Sequence, residues 1–118
     1  MQRDEATLLD IWRAAQLTQR FIGNMSKAAF LDDLKTQSSV LYQLLVVGEA
    51  VKRLSGEFRT QHDDIPWSLM TGMRDHLIHA YDTVDWEEVW KTVSSDVSLL
   101  LAQLAPLLPK KPIDYNAC

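Results

Sequence analysis

Apolar residues recur at intervals of three and four along nearly the whole chain, and no stretch sustains the alternation of a β-strand. That period places the apolar side chains on one face of a helix. Gly23 and the prolines Pro66, Pro106 and Pro109 lie between or at the ends of the periodic segments, where they punctuate the chain. The sequence therefore predicts an all-α antiparallel bundle of four to five helices over residues 1–109, followed by a loose C-terminal tail over residues 110–118.

Capping residues set the expected bounds of the first three helices. The first covers 4–22 and ends at Gly23, because glycine tolerates the left-handed conformation that closes a helix. Ser26 is placed to cap a short second helix. The third is expected over 36–58, and its segment 40–47 is apolar on nearly all sides. A helix of that kind lies at the centre of a bundle or in an oligomer interface.

Proline and aspartate mark the remaining two helices. Pro66 is expected to start the fourth, since a first-turn residue needs no N–H donor, and this helix should run to residue 81. Asp85 is expected to cap the fifth, with Glu88 three residues on, as in a capping box. The apolar stripe of the fifth helix continues until Pro106.

Composition limits the class of protein. A chain of 118 residues, of which 47% are hydrophobic, suits one folded domain. Its single cysteine, Cys118, excludes a disulfide framework and a cysteine zinc site within one chain. No apolar run reaches the ~20 residues of a membrane span, and the first ten residues are too charged for a signal peptide. We therefore expect a cytoplasmic protein with no membrane partner.

Net charge bears on the kind of partner. The formal charge of −4 argues against a broad nucleic-acid surface, because nonspecific binding depends on an excess of lysine and arginine. Basic clusters outside the segment discussed next lie at 52–53, with Arg59, and at 110–111. These clusters are usually solvated, although they could guide RNA to a local site.

Residues 74–82 carry most of the candidate chemistry, with one arginine, two histidines, two aspartates and a tyrosine. Histidine exchanges protons near neutral pH, and arginine presents a planar fork that matches phosphate oxygens. Together they can cleave RNA without a metal, since a histidine moves the proton of the 2′-hydroxyl or of the leaving oxygen and an arginine stabilises the charge on phosphorus. Arg74 and His79 are the candidates for these roles.

The spacing of this pair raises a geometric difficulty. Arg74 and His79 lie about 140° apart around an ideal helix. The long arginine could reach round, the helix could end near His79, or two copies could share a cleft about a two-fold axis. Asp75 lies four residues before His79 on the same face and could orient its ring.

Other residues near the segment allow two interpretations each. Glu49, in the apolar third helix, could position Arg74, or it could form a polar seam where Gly48 allows close helix approach. The spacing of His76 and His79 would also suit a metal, with an aspartate adding oxygen, but such pairs often arise by chance and no metal or cofactor is expected. The tryptophans are expected to pack in the core or at an interface: Trp12, Trp67, Trp86 and Trp90.

The pattern Arg74-x4-His79-x-Tyr81 resembles the motif of HEPN-domain toxins of the HepT type. Further similarities occur in the same order along the chain, to about residue 108: Phe30-x-x-Asp33, Val47-Gly48-Glu49-Ala50, Pro66-Trp67, Gly72-Met73-Arg74, and Asp85 followed by Val89-Trp90.

This resemblance implies a HEPN-like homodimer that cuts messenger or transfer RNA without a metal, with Arg74 and His79 as catalytic residues. The residues themselves, and not the resemblance, suggest Asp75 and Glu49 as auxiliary residues, and His76 as either auxiliary or solvated. It also implies a toxin–antitoxin pair, in which a nucleotidyltransferase antitoxin of the MNT type transfers AMP from ATP to Tyr81 and silences the nuclease.

Two positions depart from the family pattern. Asp75 stands where asparagine is common, and Ala80 stands where glycine is frequent, which favours a helix that continues through Tyr81. A rival interpretation also stays open. In it the chain is a non-catalytic helical subunit that binds a nucleotidyltransferase and lends it a nucleotide- or substrate-binding surface.

Overall fold

The computed structural model describes residues 2–109, and within them it is helical with no strand. Its helices are α1 (Gln2–Ile22), α2 (Lys27–Leu31), α3 (Leu34–Arg53), α4 (Gly56–Gln61), α5 (Trp67–His79), α6 (Trp86–Lys91) and α7 (Val97–Leu104). The predicted all-α class is confirmed. The expected tail at 110–118 lies outside the described residues. No helix in the described part of the chain has the length and apolar character needed to cross a bilayer.

Two hydrophobic clusters hold the bundle together. One joins the first half of α1 to the second half of α3, the start of α5 and the end of α7: Leu8, Ile11, Ala14, Val47, Ala50, Val51, Leu54, Ile65, Trp67, Leu100 and Leu104. The other joins the opposite halves of α1 and α3 to α2, the end of α5, and α6: Ala15, Ile22, Phe30, Val40, Leu44, Leu77, Val89, Val93 and Val97. Because the starts of α1 and α5 both meet the end of α3, α3 runs antiparallel to α1 and to α5, as predicted.

The tryptophans contribute to these clusters as expected. Trp67 is buried, and the other three are half-buried against the two cores. Phe30, which is fully buried, packs its ring 6.4 Å from that of Trp86 and 5.2 Å from that of Trp90. These ring contacts join α2 to α6.

Local capping follows the sequence closely. Gly23 has φ +48°, the left-handed conformation that ends α1. Ser26 Oγ accepts the N–H of Ala29 at 3.1 Å and so caps α2. The Asp85 carboxylate accepts the N–H groups of Glu87 and Glu88 at 3.0 and 3.3 Å, which begins α6 at the predicted residue.

The prediction of one helix over 36–58 is wrong at its C-terminal end. α3 stops at Arg53, and Ser55 Oγ accepts the N–H of Phe58 to begin the separate helix α4. The buried carboxylate of Asp4 fixes this break, because it accepts the N–H of Ser55 at 2.9 Å and its O–H at 2.8 Å. The backbone hydrogen bond from Ser55 is the main reason that the pKa of Asp4 is lowered from 3.8.

The fourth predicted helix also ends earlier than expected. Pro66 precedes the helix as its N-cap, α5 stops at His79, and Ala80 adopts φ −135° and ψ 36°. A short 3₁₀ turn, Tyr81–Thr83, follows. The expectation that Ala80 would carry the helix through Tyr81 is therefore wrong, because intrinsic propensity is weak beside tertiary context.

A π-helical turn, Thr92–Asp96, interrupts the predicted fifth helix between α6 and α7. Gln19 on α1 binds this turn, because its Nε2 donates a hydrogen bond to the carbonyl oxygen of Val93 at 2.7 Å. The turn keeps Val93 and Val97 both buried against α1 and α3. The apolar residues predicted for the fifth helix are thus buried, but a π-helical turn divides that helix into α6 and α7.

Candidate functional site

The close approach of α3 and α5 is made at Gly48. A Cβ atom added there would overlap Arg74 Cβ and would lie 2.9 Å from both Arg74 Cγ and the carbonyl oxygen of Met70. Glycine therefore lets the stem of Arg74 lie directly on the backbone of α3. This contact places the guanidinium group of Arg74 beside the next residue of α3, Glu49.

Two carboxylates hold the guanidinium of Arg74. Its Nη2 lies 2.9 Å from Glu49 Oε2, and its Nη1 donates to Asp75 Oδ1 at 2.8 Å. The Arg74 side chain is 23% exposed, so it is largely enclosed yet still reaches solvent. Glu49 is half exposed rather than buried. The two interpretations of Glu49 and Gly48 thus hold together, since the glycine brings the helices close and the glutamate pairs with the arginine.

Asp75 has a second partner on α3. Lys52 Nζ donates to Asp75 Oδ1 at 2.7 Å, the same oxygen that Arg74 uses. These hydrogen bonds, that of Lys52 first and that of Arg74 second, hold the pKa of the Asp75 carboxyl below its usual value of 3.8. The predicted contact of Asp75 with the His79 ring does not occur, because the carboxylate turns towards α3.

Lys52 is a member of this cluster that the sequence predicts only as part of a basic cluster that could guide RNA. A signal was present, because Lys52 follows Glu49 by three residues and so lies on the same face of α3. Its partner, 23 residues further along the chain, could not be identified without the packing of α3 on α5.

The two histidines occupy a different environment at the end of α5. Both His76 and His79 are exposed, and His79 is the last residue of the helix. Tyr81 begins the 3₁₀ turn two residues later, and its side chain lies outside the described part of the structure. The structure therefore brings Arg74, Glu49 and Asp75 together and leaves the histidines on an open surface.

A metal site is not formed by the histidine pair. Among residues 2–109, no three histidine, cysteine, aspartate or glutamate side chains converge around a point that could hold a metal ion. His76 instead borders a cavity of about 350 Å³ between α5 and α6, together with Asp85 and Glu88. Asp75, the aspartate next to His76 in the sequence, is bound instead to two cations, Lys52 and Arg74.

An open groove of about 300 Å³ lies beside Arg74. Its polar part consists of Arg74, Glu49 and Arg53, and its apolar rim consists of Leu45, Val46 and Ile78. Ile78 is 42% exposed, and Arg53 is paired with Asp10 at 3.4 Å. An arginine carries five N–H donors, so Arg74 keeps donors for an anion while two carboxylates hold it in place.

Comparison with known proteins identifies similar chains. The family described as Ribonuclease HepT-like matches residues 11–107. A protein named probable ribonuclease HepT, from Thermococcus cleftensis, is 41% identical over 100 residues, which are 85% of this chain and 91% of that protein. A putative RNase from Methanocaldococcus jannaschii is 38% identical over 92 residues, which are 78% of this chain and 76% of that protein. No solved structure matches.

Proposed function

This chain belongs to the HepT-like ribonuclease family, and from that membership we propose that it is an endoribonuclease whose catalytic residues are Arg74 and His79. The observation that carries the proposal is the bracing of Arg74 by Glu49 and Asp75 at the edge of an open groove, on the same helix as His79. The names of similar proteins support an RNase, and the side chains of Arg74 and His79 have the chemistry that RNA cleavage needs.

The proposed reaction uses the 2′-hydroxyl of RNA as the nucleophile. The 2′-oxygen gives up its proton and bonds to phosphorus, and the bond from phosphorus to the 5′-oxygen breaks as that oxygen takes up a proton. His79 moves one of these protons. Arg74 stabilises the negative charge that builds up on the phosphorus oxygens, because its guanidinium is already held in place before RNA binds.

We propose that two copies of the chain form the site. Within one chain, Arg74 points to α3 while His79 is exposed on the last turn of α5. A homodimer about a two-fold axis would bring the arginine groove of one copy to the exposed helix end of the other. The apolar rim of Leu45, Val46 and Ile78 supports this arrangement, because a second copy would cover it.

We also propose that a partner controls the enzyme as in a toxin–antitoxin pair. A nucleotidyltransferase of the MNT type would join the hydroxyl oxygen of Tyr81 to the α-phosphorus of ATP, with pyrophosphate as leaving group and the hydroxyl proton released. The added AMP carries negative charge two residues from His79, so it would repel RNA and block the groove. Either messenger or transfer RNA is the expected substrate.

The nuclease proposal is tested by expressing the chain without a partner and by incubating purified protein with RNA in a chelator. Wild-type protein is expected to arrest growth and to cut RNA. Arg74→Ala and His79→Ala should each lower the cleavage rate by about a hundredfold or more. His62→Ala is a matched control, since this histidine lies at the end of α4 and packs on Phe58.

Two results would contradict these proposals. Normal growth together with intact RNA would contradict the nuclease and favour the alternative, a non-catalytic subunit. The pairing of Arg74 with two carboxylates, which neutralises its charge, is the observation that favours this alternative.

The modification of Tyr81 is tested by intact mass. After incubation with the partner and ATP, the mass of the chain should rise by one AMP. That increase should vanish in Tyr81→Phe and persist in Tyr42→Phe, the control at an exposed tyrosine. An increase that survives Tyr81→Phe would assign the modification elsewhere.

A further inference from the structure

Four charged side chains form a continuous chain across the contact of α3 and α5. Lys52 binds Asp75 at 2.7 Å, Asp75 binds Arg74 at 2.8 Å, and Arg74 binds Glu49 at 2.9 Å. The two outer members lie three residues apart on α3, and the two inner members are neighbours on α5. Cations and anions alternate along the chain, so the whole cluster has no net charge.

Lys52 decides the balance of charge at Arg74. Without it, one arginine would face two carboxylates, and the cluster would carry a net charge of −1. A phosphodiester that approaches Arg74 also carries −1, and like charges a few ångströms apart repel even across water. With Lys52 in place, its positive charge lies on the Asp75 oxygen that Arg74 also uses. This charge offsets the repulsion between Asp75 and the phosphodiester.

Lys52 also limits how Asp75 can bind Arg74. The Asp75 Oδ1 atom is shared by two donors, while no hydrogen bond to its other oxygen occurs among the described residues. A carboxylate with arginine as its only partner tends towards a bidentate pair, which occupies two N–H groups of the fork. The lysine holds the carboxylate towards α3 and leaves more of the fork open.

We propose that Lys52 is a positioning residue of the nuclease site, which acts by engaging the Asp75 carboxylate so that Arg74 remains available to the scissile phosphate. This inference rests on the proposed function. It assigns a role to a residue of α3 outside the Arg-x4-His motif, and it makes the effect of Lys52 depend on Asp75. A lysine that contacted RNA directly would have the same effect whether or not residue 75 carried a charge.

The test is a double-mutant cycle on cleavage of a short fluorogenic RNA. Lys52→Met should lower kcat/KM about tenfold when residue 75 is aspartate, and less than about twofold in the Asp75→Asn background. Lys52→Arg should restore most of the activity, because it keeps a cation near the carboxylate. Lys27→Met is the matched control, since Lys27 pairs with Glu87 at the same distance of 2.7 Å, away from the groove.

A second measurement is independent of RNA. The Asp75 carboxyl, followed by carbon NMR, should titrate at a higher pH in Lys52→Met than in wild-type protein, because the largest cause of its lowered pKa is removed. Lys27→Met should leave that titration unchanged. An unchanged titration in Lys52→Met would overturn the proposal, since the ion pair would then not hold Asp75 in solution.

The outcomes separate the two proposals. Intact RNA with wild-type protein would overturn the proposed function and this inference with it. Cleavage by wild-type protein and equal cleavage by Lys52→Met would overturn only the role of Lys52. An equal loss in the aspartate and asparagine backgrounds would also overturn it, because it would show that Lys52 acts directly on RNA.

Discussion

The middle and the end of α5 are built in different ways. At the middle, Arg74 lies on the backbone of Gly48 and is held by two carboxylates. At the end, His79 is exposed, and the helix gives way to a turn. Only four residues of one helix thus separate a guanidinium group that is already held in place from a histidine that has no fixed partner among the described residues.

For the proposed reaction, the difference separates the role that one chain would fulfil by itself from the role that would need RNA or a second copy. Electrostatic stabilisation requires a charge that is fixed before reaction, and the α3–α5 contact fixes Arg74. Proton transfer requires a histidine within hydrogen-bond reach of the reacting oxygen, and substrate or a second copy can provide that geometry on binding. Four predictions test this division.

Gly48→Ala should have the largest effect. The added methyl group overlaps Arg74, so α5 must move away from α3, which should lower the free energy of unfolding by about 1–3 kcal/mol. Displacement of Arg74 should lower RNA cleavage by about a hundredfold. Gly72→Ala is the matched control on α5, because a Cβ there meets nothing, and it should stabilise the protein by about 0.5–1 kcal/mol. Equal effects of both changes in urea unfolding would show that the close approach is not specific.

Ile78→Asp should have the next largest effect, on assembly. A charge in the apolar rim should weaken the proposed homodimer by about thirtyfold, as at other interface hot spots. The fold should persist, since Ile78 is already 42% exposed. Sedimentation at several concentrations measures this change, with Leu34→Asp as the control at a residue that is 78% exposed. If only the control separates the copies, the second copy binds at the start of α3.

Glu49→Ala should have a moderate effect. Loss of one of the two carboxylates should increase the motion of the Arg74 guanidinium and lower cleavage by up to about fivefold, the range of an exposed ion pair. Nitrogen relaxation at Arg74 Nε measures the motion. Glu57→Ala removes an exposed glutamate from α4 and should change neither property. An unchanged relaxation rate in Glu49→Ala would mean that Asp75 alone holds the arginine.

The smallest expected effect is that of low pH on the motion of Arg74. In Glu49→Ala, Asp75 is the remaining carboxylate on Arg74, and its pKa is lowered below 3.8 by Lys52 and then by Arg74. A lowered pKa means that the interaction is complete above pH 3.8 and is lost as pH falls through the still lower value of the folded protein. The motion of Arg74 should therefore stay constant from pH 7 to 3.8 and increase below. An increase already near pH 6 would contradict this.

Local patterns were enough to predict most of the helices. Apolar spacing, the glycine at 23 and the cap at Asp85 act within a few residues, so the sequence shows them directly. The break after Arg53 depends on Asp4, 51 residues before Ser55, and the π turn is accompanied by a bond from Gln19 to Val93. Contacts between residues so far apart leave no periodic pattern in the sequence. Neither the break after Arg53 nor the π-helical turn is therefore predicted from it.

The candidate site divides in the same way. The motif marked Arg74, and Glu49 was one of its possible partners. The prediction for Asp75 assumed that side chains four residues apart on a helix meet, but Lys52 on another helix competes for the carboxylate. Spacing along one helix therefore predicted the identity of the charged residues better than it predicted their partners.

The turn after α5 has a consequence for any enzyme that acts on Tyr81. The backbone at 81–83 forms one 3₁₀ turn, which is closed by the N–H of Thr83 on the carbonyl oxygen of Ala80 at 3.0 Å. Opening a single turn requires far less free energy than unwinding a helix whose side chains are buried. Amide protons there should exchange with deuterium much sooner than those at the middle of α5. A transferase could thus draw Tyr81 into its own active site while the bundle stays folded.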